Sequence, residues 1–186
     1  MNGCRPVTPE EVEWLKKKLK TKNRLLILTG LYFGTRISEA LVITFGDVSG
    51  KWFSLKSEKG SSNKTYPIPE AYREMVERWR RELEAKGVQV TDKTPLFLSS
   101  FRRYATGRAM TRQQASQAIK RACGRLGIDG RVNTHSFRKS FVIKIYQMLG
   151  HDIRKTQDYS RHKNLTSLQY YLESAQDLDL VNELGW

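Results

Sequence analysis

His162 and Tyr171, nine positions apart near the C-terminus, join Arg36, Lys59, His135 and Arg138 in a set whose side chains suit work on a phosphodiester. Breaking that linkage requires a nucleophile, neutralisation of the non-bridging oxygens and a proton for the leaving oxygen. Tyr171 offers the first, the two arginines the second, and Lys59 with the histidines the third.

Taken singly, each motif is weak. In Thr134-His135-Ser136-Phe137-Arg138 the histidine and arginine stand three apart, so on a helix both reach one phosphate. The arginine brings a planar fork and the histidine a directed hydrogen bond. An isolated pair of this kind is more often a solvated helix face. In Gly34-Thr35-Arg36-Ile37-Ser38-Glu39 the arginine falls at the first turn of a helix, with Glu39 one turn on to orient its guanidinium. Lys59 sits in a turn as Glu58-Lys59-Gly60. Gly60, Lys64 and Thr65 hint at a P-loop, but Glu58 and Asn63 occupy positions where that loop requires glycine, which excludes it.

Composition agrees with a nucleic-acid partner. The chain of 186 residues carries 33 Lys and Arg against 19 Asp and Glu, a net charge of +14. Such an excess favours polyanions through counterion release. No secretory h-region follows Met1, and the longest apolar run, 25–33, is broken by Thr29 and Gly30, so neither a signal peptide nor a membrane span is expected. Cys4 and Cys123 are too few for a disulfide scaffold and lack neighbours at metal-ligand spacing. The expectation is a cytoplasmic, nucleoid-associated protein that uses neither metal nor cofactor.

The elements that must position these residues are mostly helices. Thr8-Pro9-Glu10-Glu11 is a capping box opening a helix to about Lys20. A central apolar helix spans Asn23 to Tyr32 and ends at Gly34; Thr35 is expected to cap a third. Residues 51–56 and 64–68 suit a β-hairpin with an edge at Pro67, the one clear β element. Pro69 to Lys86 reads as an amphipathic helix, 91–107 as mostly loop with Leu96-Phe97-Leu98 buried. Thr111 opens a further capping box, with Gly127 as the stop. Asn133 or Thr134 caps the helix whose core stripe is Phe137, Phe141, Ile145 and Met148. Two short helices, Arg154 to Tyr159 and Thr166 to Ser174, precede a mixed acidic and apolar tail. The fold class expected is mainly α with a small antiparallel β-hairpin.

Taken together and in order, these residues resemble the tyrosine recombinases, also called the phage integrase family, over about residues 8 to 175. Gly-Thr-Arg-Ile-Ser-Glu at 34–39 is similar to the first arginine box, Glu-Lys-Gly at 58–60 to the hairpin lysine, and Thr-His-Ser-Phe-Arg-Lys-Ser-Phe at 134–141 to the second box. Arg161-His162-Lys163 through Gln169-Tyr170-Tyr171 is similar to the third. The resemblance implies the fold of DNA breaking-rejoining enzymes, with residues 1–174 as catalytic domain and 175–186 as a tail that docks on a neighbouring protomer. The N-terminal helical clamp domain that members usually carry is not expected within residues 1–186, the chain reading either as an excised fragment or as a minimal member.

It further implies that Tyr171 attacks phosphorus to form a 3′-phosphotyrosyl link. Arg36, Arg138 and His162 would neutralise the oxygens, Lys59 would protonate the leaving 5′-oxygen, and His135 would act as acid/base partner of the tyrosine. Double-stranded DNA is the implied substrate, bound by a homo-oligomer in a tetrameric synapse, with accessory DNA-bending proteins as possible partners. Arg112, Lys120 and Arg121 are candidate DNA contacts. Such chemistry conserves phosphodiester energy and needs neither ATP nor metal. A type IB topoisomerase, or a DNA-binding module of the same fold that does not cleave, are the alternatives.

Two departures from the family pattern matter. Leu-Gly-His, the usual third box, occurs early here as Leu149-Gly150-His151, with Tyr159 eight residues on; that register falls too soon after Arg138 and leaves Gly150, Asp152 and Gln157 without counterparts. Arg161 stands where glycine usually precedes the histidine. Tyr170, adjacent to Tyr171, points about a hundred degrees away on a helix, so the nine-residue spacing selects Tyr171.

Overall fold

The computed structural model describes residues 4–55, 63–101, 104–128, 131–169 and 171–172. Thr8 caps α1 (Pro9–Lys18) by accepting the Glu11 backbone N–H, while the Glu11 carboxylate accepts that of Thr8 at 3.0 Å, as the sequence box predicts. The helix α2 (Thr21–Phe33) follows, buried from Leu25 to Gly30. A segment apolar on nearly every face must lie inside the fold, and α2 does so, packed against two later helices on opposite stretches of chain. Gly34 ends it with φ +57°, a left-handed conformation that glycine adopts without a Cβ clash.

The next helix, α3 (Ile37–Leu41), is not capped by Thr35. Arg36 holds the cap position, and the Glu39 carboxylate accepts its backbone N–H at 2.7 Å. Thr35 is instead buried. With five residues, α3 has little macrodipole to offer an anion, so the helix-terminus contribution expected at Arg36 shrinks and the side chain carries the charge.

Strands β1 (Trp52–Leu55) and β2 (Lys64–Pro67) pair antiparallel, with Phe53 opposite Tyr66 and Trp52 opposite Pro67. Phe53, Leu55 and Tyr66 face the core, following the alternation of a half-buried ribbon. Lys59 lies outside the described residues. The amphipathic α4 (Glu70–Glu84) buries Tyr72, Val76, Trp79 and Leu83 against α2.

A second hairpin, β3 (Leu98–Phe101) with β4 (Tyr104–Ala109), replaces the loop expected there. Its Ser, Thr, Arg and Gly residues show no apolar alternation, so backbone pairing rather than side-chain periodicity defines it. Leu96, Phe97 and Leu98 are buried as expected.

Thr111 caps α5 (Arg112–Arg125) through a box with Gln114. Asn133 caps α6 (Thr134–Met148), accepting the His135 N–H at 2.8 Å. Phe137 and Phe141 enter the core, but Met148 is 69% exposed: the last turn of α6 extends past the molecule that its first turns pack against. Asp152 caps α7 (Ile153–Ser160), and helical residues 165–169 and 171–172 close the described chain, anchored by buried Leu168 and Leu172. Tyr170 and the tail at 175–186 lie outside the described residues. Among the described residues the fold is mainly α with two small antiparallel sheets.

Candidate active site

The contact between α2 and α6 sets the geometry. A Cβ on Gly30 would lie 2.8 Å from the Cβ of Phe137, so glycine is what lets the two helices approach. That approach brings the start of α6 over the end of α2. Arg138 there donates Nη1 to the Gly34 carbonyl and, at 3.1 Å, Nη2 to the Ser160 carbonyl at the end of α7. At 1% exposure its guanidinium is bound by backbone dipoles and, among the described residues, by no carboxylate in direct contact. Burial, assisted by the repulsion of Arg36, brings its pKa down to about 10, so it remains a cation at neutral pH. A buried cation without a bonded carboxylate is costly on its own and complements an arriving anion.

His162 follows α7 in a loop held by Gln157, whose amide donates to the carbonyls of His162 at 3.0 Å and Lys163 at 3.1 Å. Its Nε2 is 3.4 Å from Arg138 Nη2 and its Nδ1 is 2.7 Å from Ser160 Oγ. Burial, then the charges of Arg138 and Arg36, drag its pKa to about 3. His162 is therefore neutral at physiological pH, and in that state it can offer a ligand a hydrogen bond but not a charge.

Leu168 and Leu172, four apart, seat the last helical turns in the core and leave Tyr171 on the adjoining face. The Tyr171 hydroxyl contacts His135 Nε2, and its ring packs edge-on against His135 and His162 at centroid distances of 5.5 and 5.3 Å. Burial raises the phenol pKa, while Arg138 and Arg36 pull against that rise. His135 keeps an exposed edge, yet desolvation and the charges of Arg138, Arg36 and Lys139 lower its pKa. A neutral imidazole thus faces a protonated phenol, the arrangement required for proton acceptance during attack.

Arg36 donates Nη1 to Glu39 Oε1 at 2.9 Å, so Glu39 orients it as expected. Of its side chain 39% remains exposed, which leaves it open to a ligand. The structure thus brings Arg36, Glu39, His135, Arg138, His162 and Tyr171 to one place. Arg112, Lys120 and Arg121 are exposed along α5. In the rejected register, His151 is exposed and meets Tyr146 edge-on, while Tyr159 packs on Tyr66 and Phe141 beneath the Lys64 ammonium, 4.3 Å from its ring.

Three members of the neighbourhood had no role assigned from the sequence. Ser160 orients His162, and Lys139 lies 5.8 Å from the Tyr171 ring. Arg161 is buried against Glu39, with Nη2 3.1 Å from Oε2. The available signal was a cation in a position that otherwise suits glycine: once buried, it must find a carboxylate.

Comparison with known proteins places the geometry in context. The chain is 30% identical over 166 residues to tyrosine recombinase XerC of Halalkalibacterium halodurans, covering 86% of this chain and 52% of that protein. It is 31% identical over 183 residues to the type 1 fimbriae regulatory protein FimE of Escherichia coli strain K12, covering 94% and 88%. The fold matches the XerH site-specific recombinase bound to palindromic difH substrate in a post-cleavage complex, with a TM-score of 0.71 at 23% identity over 96% of this chain and 52% of that one. The chain therefore spans about half the length of its Xer relatives. The phage integrase family model matches residues 6–177, nearly the whole chain, and the chain belongs to the phage integrase family.

Proposed function

We propose that this chain cleaves and rejoins double-stranded DNA at specific sites through a covalent 3′-phosphotyrosyl intermediate, with Tyr171 as nucleophile. The observation that carries this reading is the phenol of Tyr171 against neutral His135, beside two arginines whose charges face the same place. As the Tyr171 oxygen bonds to phosphorus, its proton passes to His135 and the bond from phosphorus to the 5′-oxygen breaks. Arg36 and Arg138 offset the charge on the non-bridging oxygens, and His162 adds a neutral hydrogen bond. Lys59 supplies the proton to the 5′-oxygen in this scheme. The contact of Tyr171 with His135 supports a tyrosine that acts on the site of its own protomer. The similarity to XerH in its DNA complex supports DNA as substrate. Arg112, Lys120 and Arg121 are proposed phosphate contacts on α5.

The test is a nicked suicide duplex that traps the covalent adduct. An adduct that survives detergent, persists in EDTA without ATP and is lost in Tyr171→Phe but kept in Tyr159→Phe is the expected result. Loss in Tyr159→Phe with retention in Tyr171→Phe would refute the assignment. Joining of two separate sites, as opposed to relaxation of supercoils alone, distinguishes recombinase from topoisomerase. The tetrameric synapse and docking of residues 175–186 on a neighbour belong to the same proposal. Sedimentation on DNA of a chain ending at Ser174 should show impaired assembly, and unchanged assembly counts against the docking role.

A further inference from the structure

We infer that Arg161 is a positioning residue which, through Glu39, keeps the charge of Arg36 available to the scissile phosphate; this rests on the functional reading above. Arg161 ends α7 in the left-handed conformation, φ +60° and ψ +38°, where a side chain is strained and glycine is not. It also buries its guanidinium completely, its side chain and that of Glu39 both being 0% exposed. Glycine would relieve both penalties, so the side chain is retained at a cost that its contacts must offset.

Its ion-pair contacts converge on one carboxylate. Glu39 Oε2 accepts the Arg36 backbone N–H at 2.7 Å and Arg161 Nη2 at 3.1 Å; Oε1 accepts Arg36 Nη1 at 2.9 Å, with Arg161 Nη1 at 3.5 Å. Burial alone would push the Glu39 carboxyl up, but these donors outweigh it and hold the group ionised, with its pKa below the ordinary value. One carboxylate between two guanidinium groups leaves one net positive charge, and only Arg36 of the two is exposed to use it. Without Arg161, Glu39 would neutralise Arg36. The first arginine of the site would then face a phosphate as half of a closed ion pair.

Position 161 also lies between the two groups that its loop contributes, the Ser160 carbonyl on Arg138 and the His162 ring. A single anchor on α3 thereby fixes the loop after α7 relative to both arginines.

The test compares single-turnover adduct formation by the full chain, R161G, R161K, E39Q and E39Q/R161G on nicked suicide duplexes with a randomised core. R161G keeps the backbone conformation, so its melting midpoint should stay close to that of the native chain, while its rate falls about tenfold or more, in the range expected when an electrostatic stabiliser of a transition state is weakened. R161K, which keeps the charge, should recover part of the loss. E39Q/R161G should react about as fast as E39Q, because removing the carboxylate removes the need for its second partner; a purely structural role would not produce that rescue. An R161G rate equal to native, or a further tenfold loss in E39Q/R161G relative to E39Q, overturns the inference. If R161G does not fold, the double variant against E39Q decides alone. A native chain that forms no adduct overturns the functional reading and this inference with it.

Discussion

The Tyr171 hydroxyl meets Nε2 of His135 across 36 residues of chain, and both groups are in the state that attack requires. The phenol is held protonated by burial, and the imidazole is held neutral by burial and three neighbouring cations. In the function proposed above, proton acceptance by His135, more than ionisation of the free phenol, is what activates the nucleophile.

That assignment makes the pH profile informative. A base with a lowered pKa stays neutral further into the acid range, so cleavage should persist at pH 6.5, the ordinary histidine value, and decline only below it. His135→Ala should slow adduct formation about a hundredfold or more and abolish that acid limb, measured as single-turnover rate against pH. A limb that survives the substitution belongs to another group.

His162 should make the folded chain acid-sensitive. Its folded pKa, about 3, lies below the ordinary 6.5, so the unfolded chain binds the proton more readily. The stability this contributes is present above pH 6.5 and is lost progressively as pH falls toward 3. His162→Gln should therefore show a smaller drop in melting midpoint between pH 7 and pH 4 than the native chain, read by circular dichroism; an equal drop would show that other groups dominate.

Ser160 should influence catalysis more than stability. Its hydroxyl, 2.7 Å from His162 Nδ1, sets which ring nitrogen carries the proton and hence whether Nε2 can donate to a phosphate oxygen. Ser160→Ala should lower the adduct rate about tenfold, while stability changes by about 1 kcal/mol, the worth of one ordinary hydrogen bond. A rate unchanged from native would show that Ser160 does not set the protonation of the His162 ring.

Gly30 tests the helix contact beneath the site. On helix propensity alone Gly30→Ala would gain about 1 kcal/mol, but the new Cβ meets that of Phe137 at 2.8 Å. Forcing α2 and α6 apart should instead cost about 1–3 kcal/mol, as overpacking does. It should also slow cleavage, because Arg138 rides on α6 and bonds the Gly34 carbonyl. Denaturant melts and adduct rates check the two effects separately.

Much of the scaffold was legible from local chemistry. The caps at Thr8 and Thr111, the stop at Gly34 and the apolar run of α2 depend on neighbours within a few residues, so sequence alone determines them, whereas the choice of Asn133 over Thr134 came only with the structure. The hairpin of β3 and β4 was not legible because its sequence lacks a period-two apolar pattern, so only the backbone pairing defines it. Met148 continues the period of α6 beyond the surface that buries it, which no periodicity can reveal.

The site divides along the same line. Residue types and order determine that Arg36, His135, Arg138, His162 and Tyr171 form one chemical set, and the nine-residue interval singles out Tyr171. Only the tertiary structure decides that His162 is neutral, that Tyr171 touches His135, and that Arg161 shares Glu39 with Arg36. Charge state and partnership depend on desolvation and on cations brought in from α3, α6 and the end of α7, and those are properties of the space between distant segments of the chain.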